Sequence, residues 1–241
     1  MQENNSFIRG IRNGAPIAIG YFAVSFAFGI FAVGAGLSWL EAVLISAFNV
    51  TSAGQLAAVP IIAASGGFLE LGLTQLVINL RYSLMSVTLS QKMGASVRVR
   101  DRFLIAYVNT DEVFAVASAS HEPLGRKYLF GLILTPPVGW TLGTLSGAVA
   151  GNILPEILLS ALGVAIYAMF IAILVPAARA SKSILLIVLL SSLLSIGFSV
   201  TPKLQDIPSG FVIIIISVVL SAIFAIVAPV PDEDCEEAEK L

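Results

Sequence analysis

The sequence has few charged residues, one histidine and one cysteine. Charged residues make up 12% of the chain, whereas about 25% is usual for a soluble domain, so they are too few to cover a surface that faces water. The single cysteine, Cys235, excludes an intrachain disulfide bond and a thiolate metal cluster. The single histidine, His121, excludes the paired histidines of a zinc metalloprotease helix. We expect no cofactor, no metal site and no nucleic-acid partner.

Long apolar segments dominate what is present, with 57% hydrophobic residues and a mean hydropathy of +0.95. A helix needs about 20 residues to cross a hydrocarbon core of about 30 Å. Apolar stretches of that kind lie at residues 14–36, 41–64, 68–90, 103–118, 128–150, 156–178, 183–200 and 208–228. No alternating pattern suggests a barrel, so helices must pair the backbone groups. The sequence therefore predicts an all-α, polytopic integral membrane protein with seven or eight hydrophobic segments in a lipid bilayer.

The expected domain organisation is one transmembrane domain over residues 1–231 and a solvated acidic tail at 232–241. A weak internal repeat relates Gly14-Ala15-Pro16 to Thr135-Pro136-Pro137, and Glu41 to Glu156, 115 residues later. Such repeats are common in membrane proteins and would give halves at 14–118 and 128–228. The alternative is that these residues only mark helix ends, since Ser38 to Glu41 has capping-box spacing and Pro155 precedes Glu156 as at a helix start.

The basic residues set a problem for the topology. The most basic loop holds Lys92, Arg98, Arg100 and Arg102, and lesser clusters are Arg9 with Arg12, Arg126 with Lys127 and Arg179 with Lys182. All should prefer the cytoplasm, by the rule that basic loops stay on the inner side of a membrane. If the N-terminus starts in the cytoplasm, however, three full spans would place residues 92–102 outside. We expect segment 41–64 to be broken at 49–55 and to re-enter, or the rule fails here. If segment 103–118 also fails to cross, the later clusters fall inside.

Charged residues within apolar segments are candidate functional residues, because a charge at mid-membrane costs about 2.5–3.5 kcal/mol. Arg81 is the clearest, with Asn79 two positions before it, and Asp111 and Glu112 interrupt the fourth segment. Arg81 offers a fork of donors for a substrate carboxylate or a buried acid, and the alternative is an arginine that reaches the lipid headgroups. The acids would neutralise Arg81 or carry a proton, and the alternative is a helix break with Thr110 or Asp111 as N-cap.

Small and polar residues add two further candidates. Ser52, Gly54 and Gln55 combine close backbone approach with an amide that reads polar groups, and the alternative is helix packing. Glycines recur at four-residue steps along segment 128–150, at Gly139, Gly143, Gly147 and Gly151. This glycine stripe predicts close packing against another helix, in this chain or in a partner.

These elements, in this order, resemble the AzlC family of branched-chain amino-acid permeases over nearly the whole chain. The likeness lies in Gly14-Ala15-Pro16 with Gly20 and Gly29, Ser52-Ala53-Gly54-Gln55-Leu56, Asn79-Leu80-Arg81-Tyr82, Asp111-Glu112 and Trp140 through Gly151. The resemblance implies export of branched-chain amino acids from a prokaryotic cell, driven by the proton gradient, together with a small hydrophobic AzlD-type subunit. Leu162-Gly163-Val164-Ala165 departs from it, because many members have an acid after that Leu-Gly.

The hypothesis is a multi-pass transporter of the cell membrane that binds a zwitterionic amino acid near mid-membrane. Arg81 would face the substrate carboxylate or hold Asp111, Gln55 would read polar atoms, and one acid of the 111–112 pair would carry the proton. The alternative is a passive channel or a scaffold subunit of a membrane complex. An intramembrane enzyme is not expected, since Gly143-Thr144-Leu145-Ser146-Gly147 has the wrong spacing for a serine protease motif.

Overall fold

The computed structural model of the protein describes residues 5–120, 122–151, 155, 171, 174–176, 178–179 and 181–228. Within these residues the chain forms helices joined by short connections, and the only extended pairing is an isolated bridge between Met93 and Leu124. The helices are α1 (Phe7–Gly34), α2 (Trp39–Phe48), α3 (Ser52–Ala63), α4 (Phe68–Lys92), α5 (Val99–Tyr107), α6 (Asp111–Ser118), α7 (Arg126–Ala150), α8 (Lys182–Val200) and α9 (Ser209–Val227). This confirms the predicted all-α class.

Four of the described helices are long and apolar enough to cross a membrane, namely α1, α7, α8 and α9. Helix α4 has 25 residues, about 37 Å at 1.5 Å per residue, but polar residues such as Asn79 and Arg81 lower its hydropathy. Helix α1 begins seven residues before the predicted segment, because the Ser6 hydroxyl accepts a hydrogen bond from the backbone N–H of Arg9. The protein is a polytopic α-helical membrane protein.

Two predicted segments are broken. Segment 41–64 divides into α2 and α3 around residues 49–51, and α2 starts with the predicted capping box between Ser38 and Glu41. Segment 103–118 is wrong as a single helix, because α5 and α6 are separated by residues 108–110. These two helices have nine and eight residues, so each spans only about 12–14 Å. Neither can cross a hydrocarbon core alone.

Some sequence predictions lie outside the described residues. They include nearly all of segment 156–178, His121, Glu156, the 162–165 stretch and the tail with Cys235. The chain separates into two compact units, one of Met1–Leu56 with Asn79–Ile166 and one of Ala57–Ile78 with Tyr167–Leu241. The predicted single domain and its repeat halves stay predictions.

In the first unit, α1 and α7 pack side by side and run in the same direction. Near their starts Gly10 lies against Gly131, and near their ends the carbonyl of Phe26 lies against Gly147. Gly139 and Gly143 likewise lie against the α1 backbone, at Ala18 and Phe22. Small residues permit this close approach, so the partner of the predicted glycine stripe at these positions is α1 of the same chain.

Helices α5 and α6 form a hairpin, called here the α5–α6 hairpin (residues 99–118), whose two ends lie together. At its start the Asp101 carboxylate accepts hydrogen bonds from Arg126 Nε at 2.7 Å and Nη2 at 3.1 Å. At its end the Ser118 carbonyl accepts from Lys92 Nζ at 2.5 Å, and Leu124 N donates to the Lys92 carbonyl. The hairpin therefore enters and leaves at one end of the unit, where α1 and α7 begin.

We call that end the basic face, because it carries Arg9, Arg12, Lys92, Arg98, Arg100, Arg102, Arg126 and Lys127. Its connections are held by short hydrogen bonds, such as Lys127 N to Asn5 Oδ1 at 2.7 Å. Since the hairpin returns to the basic face, residues 103–118 have the shape of a re-entrant pair of helices, which agrees with the expectation that this segment does not cross the membrane. The expected re-entry of segment 41–64, which forms α2 and α3, stays a prediction.

In the second unit, α8 packs against α9, and a carboxylate from the start of α4 caps α9. Glu70 is 6% exposed, and its Oε1 accepts a hydrogen bond from the backbone N–H of Gly210 at 2.9 Å. A carboxylate is stabilised there by the unpaired N–H groups and the helix dipole. The cap fixes where α9 begins.

Candidate functional site

The tip of the α5–α6 hairpin reaches the middle of α1. The Tyr21 hydroxyl lies 2.5 Å from Thr110 Oγ1 and hydrogen-bonds the Glu112 carboxylate. A phenol has one proton and a carboxylate only accepts, so all three groups are satisfied when Tyr21 donates to Glu112 and Thr110 donates to Tyr21. Asn109, also at the tip, donates from Nδ2 to Ser86 Oγ of α4 at 3.1 Å. The break between α5 and α6 thus brings polar groups together between apolar helices.

Beside this contact lies the charged pair that the sequence singled out. Arg81 Nη1 of α4 is 2.8 Å from Asp111 Oδ2 at the start of α6. Arg81 Nη2 donates to the Tyr82 hydroxyl at 2.9 Å, and the guanidinium lies 4.7 Å from the Tyr82 ring centroid. The two charged side chains are about half exposed, 50% for Arg81 and 49% for Asp111. The pair is therefore open on one side to a ligand, water or another protein.

An aromatic contact links the hairpin tip to α7. The rings of Tyr21 and Trp140 meet edge to face, with centroids 5.0 Å apart and planes at 69°. Trp140 is 3% exposed, and its Nε1 has no hydrogen-bond partner among the described residues. Such edge-to-face pairs add about 0.5–1.5 kcal/mol beyond area burial. Tyr21 is therefore fixed by its ring on one side and its hydroxyl on the other.

A second polar cluster lies where α2 and α3 meet. Gln55 is fully buried, and its Nε2 donates to Ser46 Oγ at 2.5 Å, while Ser46 Oγ lies 2.6 Å from Thr144 Oγ1 of α7. Gln55 Oε1 is buried without a hydrogen-bond partner in the described part of the chain. Thr144 is one helical turn from Trp140, so α7 connects this cluster to the aromatic contact.

The predicted site residues thus divide between two clusters. Arg81, Asp111 and Glu112 meet at the hairpin tip, whereas Gln55 belongs to the second cluster. Ser52 begins α3, and Gly54 N donates to Thr51 Oγ1 at 3.1 Å, so both shape the helix break. Helix α4 is continuous past Asn79, and residues two apart face different directions on a helix. Substrate binding by these residues stays a prediction.

Sequence reasoning missed Tyr21, Ser46, Thr144 and Trp140 as site residues. The available signal was the buried hydroxyl itself: a tyrosine within an apolar helix needs a partner for its O–H group. Nothing in the sequence indicated which partner, because Tyr21 and Glu112 are 91 residues apart. The contact arises only because α5 and α6 form a hairpin beside α1.

The hairpin is anchored at the basic face by the Asp101–Arg126 ion pair. Asp101 is 2% exposed. Loss of hydration acts to raise the pKa of Asp101, but hydrogen bonds from Arg126 and from the backbone N–H of Arg98 outweigh it and hold that pKa below its usual value. The pair is thus ionised at neutral pH. No group of three or more potential metal-binding side chains occurs within the described residues.

These features define the class of the protein: a multi-pass α-helical membrane protein with a charged, hydrogen-bonded centre between apolar helices. The chain belongs to the AzlC protein family, whose model matches residues 16–154, more than half of its length. This confirms the resemblance found in the sequence.

Two relatives support the membership. The chain is 33% identical over 178 residues to an uncharacterized membrane protein of Archaeoglobus fulgidus, a match that covers 73% of this chain and 78% of that relative. It is 29% identical over 151 residues to the inner membrane protein YgaZ of Escherichia coli, covering 61% of this chain and 62% of YgaZ. The match thus spans less than two thirds of YgaZ. No solved structure matches the chain.

Proposed function

We propose that the protein is a transporter that exports branched-chain or similar hydrophobic amino acids across a prokaryotic cell membrane, coupled to protons. The observation that carries this proposal is the Arg81–Asp111 pair, placed 2.8 Å apart where the hairpin tip meets α4. Charges between apolar helices are costly and mark substrate or ion pathways in membrane proteins. Membership of the AzlC family supports a transport role.

Substrate binding would begin by exchange of one carboxylate for another. Asp111 contacts only one terminal nitrogen of Arg81, and both side chains are half exposed, so a substrate carboxylate can approach the guanidinium. Arginine binds carboxylates in a planar, two-point arrangement. The amino-acid carboxylate would take the place of Asp111, which frees that acid. Neighbouring apolar side chains such as Leu80 and Leu84 would accept the aliphatic side chain.

Proton coupling would use the two acids at the start of α6. Once Asp111 loses its contact with Arg81, it holds an unpaired charge at membrane depth, and binding a proton removes that cost. Glu112 is held by the Tyr21 hydroxyl and would accept the proton next. The two acids are adjacent in sequence, so a proton moves between them over a short distance. Substrate binding and protonation would thus depend on each other.

The proposed partner is a small hydrophobic membrane subunit of the AzlD type. The half-exposed Arg81–Asp111 pair supports this part of the proposal, because charged groups within a membrane normally face protein or a water-filled cavity. A subunit that covers the pair would separate it from lipid. The partner would then be needed for transport.

The test is efflux of labelled leucine, isoleucine, valine and methionine from preloaded cells. Three strains are compared, with this chain alone, with the chain and a candidate AzlD-type subunit, and with neither. We expect faster, saturable efflux that requires both proteins and responds to an imposed pH gradient. The chain carrying Asp111→Asn is the matched control, and it should lose the response to pH. Efflux that never saturates would instead favour a channel, and unchanged efflux of all four amino acids would reject the proposal.

A further inference from the structure

A cavity of about 690 Å³ opens between α1, α6 and α7. Its wall includes Asn13, whose Nδ2 donates to the Tyr128 hydroxyl at 3.0 Å. The residues around it belong to the first unit and lie where α1 and α7 begin and α6 ends, so the cavity is at the basic face. We call it the vestibule.

The vestibule carries charges of both signs. Arg9, Arg12 and Glu122 all line it, and none of the three side chains forms an ion pair within the described part of the chain. Other basic residues of the same face are engaged, since Arg126 pairs with Asp101 and Lys92 donates to the Ser118 carbonyl. The three charges of the vestibule are therefore available to a ligand.

The inner wall of the vestibule leads to the charged site. Ile17 of α1 and Val116 of α6 line the cavity. Residues four positions apart lie on the same helix face, about 6 Å apart along the axis. One turn beyond Ile17 is Tyr21, and one turn before Val116 is Glu112, the two residues joined by a hydrogen bond. A ligand in the vestibule is thus one turn from the hairpin tip.

We infer that the vestibule is a loading site for a zwitterionic amino acid, an inference that rests on the proposed function. The guanidinium groups of Arg9 and Arg12 bind the carboxylate, Glu122 binds the ammonium group, and Ile17 and Val116 contact the apolar side chain. An anionic lipid headgroup fits less well, because Glu122 would repel it. The vestibule therefore loads substrate at the basic face before it reaches Arg81.

The experiment measures initial transport rates of labelled leucine in membrane vesicles of both orientations, with whichever partner the wild-type chain requires. In the Arg9→Gln/Arg12→Gln double variant, the half-saturating concentration at the basic face should rise about tenfold or more, because charge-assisted hydrogen bonds are lost. The maximal rate from the basic face should not change. Because the driving force fixes how the ratios of maximal rate to half-saturating concentration in the two directions compare, that ratio at the opposite face should fall by the same factor. Glu122→Gln should likewise raise the half-saturating concentration at the basic face.

Arg100→Gln is the matched control, because it removes an exposed arginine of the same face that does not line the vestibule. It should leave the maximal rate and the half-saturating concentration unchanged at both faces. Wild-type-like saturation by the double variant would overturn the inference. So would a lower maximal rate from the basic face with an unchanged half-saturating concentration, which indicates a structural role. A shift seen only in vesicles that contain phosphatidylglycerol would assign the arginines to lipid. Absence of transport by the wild-type chain would reject the proposed function itself and the inference with it.

Discussion

Arg81 binds two partners at once, the Asp111 carboxylate at 2.8 Å and the Tyr82 hydroxyl at 2.9 Å. A lysine keeps the charge but has a single nitrogen, so it cannot reproduce this planar, two-point contact. We expect Arg81→Lys to lower the rate of amino-acid efflux at least tenfold, with the same amount of protein in the membrane. Arg100→Lys is the control and should transport normally. Near-normal efflux by Arg81→Lys would show that charge alone suffices.

Tyr21 joins α1, α6 and α7 through its hydroxyl and its ring. In Tyr21→Phe the ring still packs on Trp140, but the Glu112 carboxylate loses a donor that contributes about 1.5–3 kcal/mol. Efflux should therefore fall about tenfold, and the melting temperature in detergent should fall by several degrees. The control is Tyr107→Phe, which removes a hydroxyl that donates to the Ala47 carbonyl. Equal loss in both variants would argue against a special role for Tyr21.

The charges in apolar helices could be found from the sequence, and so could the pairing of Arg81 with Asp111 as one of the alternatives. The partners of the uncharged polar groups could not. Arg81, Asp111 and Glu112 stand out because ionised groups are rare at membrane depth. Gln55 also stood out, but the structure places it with Ser46 in a buried cluster. A lone hydroxyl among apolar residues, such as that of Tyr21, costs less than a charge, and it signals only that a partner exists and not which residue the partner is. Its role depends on the helix that packs beside it.

The close contact between α1 and α7 depends on glycines at several positions along the two helices. A Cβ atom at Gly147 would collide with the Phe26 carbonyl, whereas one at Gly20 meets nothing within 4 Å. Overpacking of this kind costs about 1–3 kcal/mol, so Gly147→Ala should lower the melting temperature in detergent by several degrees. Gly20→Ala should leave it unchanged or raise it, since alanine is the better helix former. Equal melting temperatures would contradict the described packing.

The ion pair that anchors the α5–α6 hairpin gives a pH dependence. Because the pKa of Asp101 is lowered in the folded protein, its contribution is fully present above the unfolded value of about 3.9 and is lost as pH falls through the folded value. The difference in melting temperature between wild type and Asp101→Asn should be constant from about pH 5 to 8 and shrink below about pH 4. Asp206→Asn, at an exposed carboxylate, is the control. A difference that already shrinks near pH 6 would contradict the lowered pKa.

Breaks within helices were partly visible in the sequence. The run from Asn49 to Gln55 predicted the division of segment 41–64, and α2 and α3 confirm it. The division between α5 and α6 was predicted only as an alternative, a helix break with Thr110 or Asp111 as N-cap, and Thr110 is the N-cap residue of α6. That the two helices form a hairpin follows from contacts made by Asp101 and Ser118 with residues outside the hairpin. Local patterns do not contain such contacts.

At the scale of the whole molecule, the hairpin predicts the sidedness of its flanking loops. In a Cys235→Ser background, we expect cysteines at Arg100→Cys and Ser120→Cys to react with a membrane-impermeant maleimide from the same side. Gly34→Cys, at the far end of α1, should react only from the other side, and a Cβ atom there meets nothing within 4 Å. The measurement compares intact cells with inside-out vesicles. Labelling of residues 100 and 120 from opposite sides would mean that the segment crosses.

The parallel packing of α1 and α7 bears on the weak internal repeat. Gly10 with Gly131, Ala18 with Gly139, and Phe26 with Gly147 are each 121 residues apart. The same spacing relates Gly14-Ala15-Pro16 to Thr135-Pro136-Pro137. These contacts at one constant spacing agree with the predicted repeat at these positions, and the repeat halves themselves stay a prediction.

The pairing of α1 with α7 also determines how long α1 waits for its neighbour during synthesis. Residues that meet across this contact are 121 positions apart, and ribosomes add about 5–20 residues each second. Helix α1 is therefore inserted roughly 6–24 s before its principal neighbour exists. During that interval its glycine-lined side faces lipid or the insertion machinery, and any chain cut short before α7 leaves α1 without the surface it was shaped to meet.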